Sequence, residues 1–178
     1  MSRLLNRDPD PTTVAQATKA IALPRSSRRE IQLNVLLVRC ASEWFALPAS
    51  CVVRVTRVTA VHGLPHRTAH GFRGLTALSG AVVPVVDLVA LLRLLPAGEQ
   101  LTRTPRTVAI GDAASPWAFE ADEVPGVFAI AHSAISPLPV TVASAPSRIS
   151  KGLVLTPHGS ASLIDPERLF SELTQLLA

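Results

Sequence analysis

The stretch "FRGLTALSGAVVPVVDLVALL", Phe72 to Leu92, decides how this chain is read. Two apolar runs, "LTALS" and "AVVPVV", meet at Ser79-Gly80, and only Arg73 and Asp87 carry charge. Short apolar runs around a small dipeptide predict a strand hairpin, with the turn type left open. Pro84 cannot donate a ladder hydrogen bond, so its strand is expected at a sheet edge or a bulge. Asp87 stands ahead of the helix-like run "LVALLRLL" and is placed as an N-cap. An aspartate after an apolar strand is also where a phospho-acceptor sits. The alternating helices and parallel strands of such a site are missing here, so the cap is preferred.

On the N-terminal side, "LNVLLVR" and "EWFAL" read as two strands joined by a tight turn at Ala41-Ser42. In "CVVRVTRV" a period of two puts Cys51, Val53 and Val55 on one face and Val52, Arg54 and Thr56 on the other. "VHGLPHRTAHGFRG" is a loop. On the C-terminal side, "PRTVAI", "PWAFEADEV" and "GVFAIA" give three more strands, and "SPLPVTVASAPS" is a Pro-rich connector. "KGLVLT" and "ASLI" pair around "PHGS". In "DPERLFSELTQLLA", Asp165 caps, Pro166 takes the first helical position, and Leu169, Phe170, Leu173, Leu176 and Leu177 form an apolar stripe. About ten short strands and two short helices predict a mainly all-β sandwich or barrel.

The 178 residues suit one domain, and 48% apolar content is enough for a sizeable core. The net charge of +4 is unevenly placed. Residues 1–30 hold six basic and three acidic side chains, which leaves eleven and ten on the remainder. Residues 1–31 are therefore expected to be a flexible basic extension, with one weakly amphipathic helix in "TTVAQATKAIAL". Residues 32–178 form the folded domain. That domain is nearly neutral and aromatics are only 4% of the chain, which counts against a nucleic-acid-binding fold. Cys40 and Cys51 sit in apolar runs and read as buried, reduced thiols. With no leader-like apolar run and no spanning stretch, a cytoplasmic protein is expected.

Few residues offer chemistry. His62, His66 and His70 recur every four residues, but Gly63, Pro65 and Gly71 argue against the helix that would align them, so no metal site is expected. Glu120, Asp122 and Glu123 read as solvated strand-end charges. Phosphate-binding loops, nucleophile elbows and metalloprotease motifs are absent, so no catalytic residue and no cofactor are assigned.

Four ordered segments resemble the CheW-like coupling proteins of bacterial chemosensory arrays. "EWFALPASCVVRV" is similar to the family's opening strands. Gly74 to Leu88 follow its pattern G-x-x-N-L-R-G-x-I-x-P-V-x-D-L. "WAFEADEVPGVFAIAHSAISPLP" resembles its central strands, and "ISKGLVLTPHGSASLIDPERLF" its closing hairpin and helix. "EWFALP", "VHGLPHR" and "DEVPGV" are most similar to accessory coupling proteins of Wsp-type surface-sensing pathways.

The resemblance implies two intertwined five-stranded SH3-like barrels with short helices. It implies a non-catalytic adaptor that joins chemoreceptor cytoplasmic tips to the regulatory domain of a CheA-type histidine kinase, without inserting into the membrane. By the same resemblance, Val52, Gly74, Ser79, Val108 and Ala109 are receptor-facing, and Arg54, Val61 and Gly80 are kinase-facing. Small residues such as Gly74 and Gly80 are expected to let a partner backbone approach. Two positions depart from the pattern: N-L-R-G reads Ala77-Leu78-Ser79-Gly80, without the arginine, and an acidic position is Arg54. The alternative reading is a small basic β-barrel that binds nucleic acid.

Overall fold

A computed structural model describes residues 31–65, 70–95, 104–138 and 148–176. Two faces of burial explain its most apolar strand. In β1 (Gln32–Cys40), Val35 and Leu37 enter one core while Leu36, Val38 and Cys40 enter another. A run buried on both sides needs no alternation, which is why "VLLV" reads as continuously apolar. The turn at Ala41-Ser42 leads to β2 (Glu43–Pro48), and a single 3-10 turn, Ala49–Cys51, leads to β3 (Val52–Arg57).

The quoted stretch forms the predicted hairpin of β4 (Phe72–Leu78) and β5 (Ala81–Val86). Ser79 and Gly80 both have positive φ, 53° and 84°. Positive φ at both central residues is the type I′ arrangement that matches strand twist. Asp87 accepts from the Ala90 amide at 3.0 Å and so caps α1, which is only Leu88–Leu91. The expected longer helix over "LVALLRLL" ends early, with Arg93 at φ 49°.

Next come β6 (Arg106–Asp112), β7 (Ser115–Ala121), β8 (Glu123–Ala131), the two-residue β9 (Ile135–Ser136), β10 (Ser150–Thr156), β11 (Gly159–Ile164) and α2 (Pro166–Gln175). The sequence reading divides this region differently. "PWAFEADEV" is not one strand: the chain bends at Asp122, and Glu123 to Ala131 run through Pro125 and Gly126 as a single strand. Pro125 is tolerated because β8 is a sheet edge. At α2, Asp165 caps and Pro166 stands at the first turn, while Leu169 and Leu173 are buried. Leu177, His66, most of the Pro-rich connector, and the extension up to residue 30 lie outside the described residues.

The strands make two sheets, β8-β1-β2-β11-β10-β9 and β3-β6-β7-β5-β4. They build the two intertwined SH3-like barrels, one sheet having six strands rather than five because of β9. The chain starts the first sheet, builds the whole second sheet, then returns. Register shifts in β1, β3, β4 and β10 bend the strands as curvature requires. Three cores result. One fills the first barrel around Val35, Leu37 and Leu163, and one fills the second around Leu78, Val83 and Ala118. The largest lies between the sheets, around Phe45, Val108, Ile110 and Phe119, and α2 closes it.

Pro84 sits in an internal strand, contrary to the edge expectation. β7 joins β5 only from Val85 onward, so on that side Pro84 still lies where β5 is unpaired.

Candidate functional site

The clean alternation expected for β3 is not present. A register shift between Val52 and Arg54 resets the parity, and β3 is a sheet edge. Val52 packs on the inter-sheet core, while Val53 and Val55 are exposed rather than sharing the buried face of Cys51. Arg54 lies on the other side, paired with Ala109, and its Nη1 donates to Ser79 Oγ. One exposed arginine thus joins the edge of the second sheet to the turn of the β4–β5 hairpin.

The segment after β3 completes this seam. Val61 packs on the second barrel's core beside Leu78, Val83 and Ala109. His62 and Leu75 exchange backbone hydrogen bonds of 2.8 and 2.9 Å. Thr76 Oγ1 lies 2.7 Å from the Ala60 carbonyl and 2.8 Å from Thr59 Oγ1, and the Thr59 amide donates to Thr107 Oγ1 at 3.2 Å. The segment after β3 is therefore joined to β4 by one short bridge and by side chains instead of a ladder.

Gly74 belongs to this closure. A Cβ there would stand 2.3 Å from the His62 carbonyl oxygen, and its φ is 141°. The backbone that approaches Gly74 is the chain's own, where a partner's was expected. Gly80 differs: a Cβ would meet nothing within 4 Å, so the turn's outer side is open.

Arg54, Val61, Gly74, Ser79 and Gly80 therefore share one neighbourhood, with Ala109 beneath them. Val52 and Val108 lie toward the inter-sheet core instead. Val108 and Ala109 are buried because β6 is internal and covered on both faces. They can shape the surface from below without reaching it.

Other sequence candidates find plain structural roles. His62 bridges Leu75 through its backbone, and His70 Nε2 lies 3.0 Å from the Ala90 carbonyl. Among the described residues no group of three His, Cys, Asp or Glu side chains is placed to hold a metal ion. Burial pushes the Cys40 thiol far above its ordinary pKa, helped by Asp122 and Asp87, and also raises Cys51.

The acidic cluster is not a set of solvated strand-end charges. Glu123 Oε2 accepts from Arg39 Nε and Nη2 at 3.1 and 3.0 Å, and Asp122 Oδ2 accepts from the Ala41 amide at 2.7 Å. Glu120 pairs with Arg73 at 3.0 Å. Arg39 was missed by sequence reasoning. The signal was available: it is the lone charge inside the apolar run "VLLVRCA".

Comparison with known proteins agrees with this architecture. The family model described as the CheW-like domain matches residues 34–174. The crystal structure of scaffolding protein TtCheW from Thermoanaerobacter tengcongensis superposes with a TM-score of 0.63 at 19% sequence identity, covering 76% of this chain and 90% of that one. A search of curated protein sequences finds no match. No described helix is long and apolar enough to cross a membrane.

Proposed function

The chain belongs to the CheW-like domain family, and on that premise we propose that it is a non-catalytic adaptor of a chemosensory array. It couples the cytoplasmic tip of a chemoreceptor to the regulatory domain of a CheA-type histidine kinase. It works in the cytoplasm, held at membrane-bound receptors through these partners. The supporting observation is the seam of the second barrel. Positions that the family pattern assigns to partners come from separate segments, Arg54 to Val61 and Gly74 to Gly80, and meet around the Arg54–Ser79 contact. A surface of this kind binds by shape and charge and needs no reacting group.

Arg54 and Ser79 stand where the family pattern has an acid and an arginine. A partner carboxylate opposite Arg54 is favoured, and a partner cation there is repelled. The protein therefore prefers its own receptor or kinase, of the surface-sensing kind, over those of a standard chemotaxis pathway. Calorimetric titration of the full chain against both partner sets tests this. The double change Arg54→Glu with Ser79→Arg should weaken the native complex by roughly 1–3 kcal/mol and improve binding to the standard set. If neither receptor tip nor kinase domain binds the wild-type chain, the adaptor reading fails.

A further inference from the structure

On β3 the register shift at Val53 puts Val52, Val55 and Arg57 on one side, opposite Ile110, Val108 and Arg106 of β6. The upper part of this strip feeds the inter-sheet core through Val52, Val108 and Ile110. Its outer end is different. Val55 is exposed, and Arg57 and Arg106 face each other directly across the two strands, both exposed. Like charges at directly opposed positions destabilise a sheet. No described carboxylate lies within ion-pair distance of either guanidinium; Arg106 Nη1 donates only to the Pro105 carbonyl, at 3.0 Å. One other exposed arginine of the second sheet, Arg73, is matched by a carboxylate, Glu120. The Arg57–Arg106 pair is a local conflict left unrelieved beside an exposed apolar residue.

We propose that this end of the strip docks an acidic helical segment of a partner protein, with two carboxylates one helical turn apart lying over Arg57 and Arg106 and an apolar residue covering Val55. The spacing supports a helix. Directly opposed strand residues hold their Cβ atoms about 4.5–5.5 Å apart, and helix residues at i and i+4 hold theirs about 5–6 Å apart. A second copy of this chain would bring two more arginines to the same place and is disfavoured. Arginine also suits fork-like pairing with carboxylates. The inference rests on the adaptor reading and adds the chemistry of the partner's face.

The test titrates the full chain with the receptor cytoplasmic tip and the kinase regulatory domain from the same cell, at several salt concentrations. Arg57→Glu with Arg106→Glu should weaken one of these complexes about tenfold or more and flatten its salt dependence. Lys151→Glu, on an exposed position of the other sheet, should leave it unchanged. The neutral variant Arg57→Gln with Arg106→Gln should melt no lower than wild type, which separates binding from folding. If the reversed variant binds both partners as wild type does, the inference is overturned and the adaptor reading stands. Equal weakening by Lys151→Glu would also overturn it, because only the overall field would matter. Binding of a short DNA duplex that the reversal abolishes would assign the pair to a polyanion instead. Failure of the wild type to bind either partner would remove both readings.

Discussion

Two hairpin turns in this molecule are built alike and sit in different surroundings. Both start with a non-glycine residue in the left-handed region, Ala41 at φ 54° and Ser79 at φ 53°. Both are held by an arginine from nearby in the fold. At the first turn Arg39 is buried: it donates twice to Glu123, once to the Ala41 carbonyl at 3.3 Å, and lies 5.8 Å from the Trp44 ring centre. Asp122 completes the brace through the Ala41 amide. At the second turn Arg54 is exposed and touches Ser79, and no described carboxylate pairs with it. The difference lies in burial, not in residue type. A buried arginine with its charge matched is a joint between strands, whereas an exposed and unmatched one is the kind proposed above to meet a partner.

The sharpest way to break this contrast is to remove the buried arginine. Arg39→Ala leaves Glu123 without its cation and Ala41 with a weakened brace. The Arg39 side chain is 4% exposed and the Glu123 side chain 33%, so part of the penalty is relieved by solvent. The expected cost is about 2–4 kcal/mol, near the lower end of values for broken buried pairs. Chemical denaturation should read it as a lower midpoint with an unchanged slope. A loss under about 0.5 kcal/mol, typical of ordinary surface changes, would show that the buried joint carries no more than an exposed one.

The two glycines of the second hairpin sharpen the contrast within one region. Gly74→Ala pushes a Cβ against the His62 carbonyl at positive φ, and should cost about 2–3 kcal/mol through overpacking and backbone strain together. Gly80→Ala meets only the left-handed penalty, about 1–2 kcal/mol. Thermal melts of the two variants should fall in that order. The reverse order would mean that the seam near His62 yields easily.

Alkaline pH probes the buried side by another route. Cys40 next to Arg39 and Cys51 both have raised native pKa values, chiefly through burial. The unfolded thiols lose their protons above about pH 8.5, while the native ones keep them. The unfolded state then binds fewer protons, so stability is flat below that pH and falls as pH rises above it. The slope reaches about 1.4 kcal/mol per pH unit for each fully protected thiol. Cys40→Ala should remove one thiol's share, and an unchanged slope would show that Cys40 is not protected.

Much of this was legible in the sequence, for physical reasons that differ by element. The β4–β5 hairpin, the Asp87 and Asp165 caps and the final helix are local, and local chemistry announces them. The strand β8 was divided wrongly because Pro125-Gly126 reads as a break, and only sheet position reveals that an edge strand tolerates it. The roles of Arg39, Asp122 and Glu123 were hidden because their partners lie more than eighty positions away. The family pattern pointed to Gly74 and Ala109, but it could not show that one admits the chain's own His62 carbonyl and the other is buried.

The smallest expected effect on stability is also the most telling. Arg54→Ala removes an exposed side chain whose hydrogen bond, among the described residues, goes to one hydroxyl, and the strand around it keeps its ladder to β6. Stability should change by no more than about 0.5 kcal/mol. Yet Arg54 and Ser79 hold together the neighbourhood proposed to receive a partner, so affinity should fall even while the fold does not. Arg39→Ala should behave in the opposite way: a large loss of stability, but unchanged affinity at temperatures where the variant stays folded. Measuring both quantities on both variants gives four numbers, and the contrast requires them to be crossed. If Arg54→Ala proves as destabilising as Arg39→Ala, exposure does not separate joint from interface here. If neither variant changes partner affinity, the second hairpin's arginine has no partner to meet.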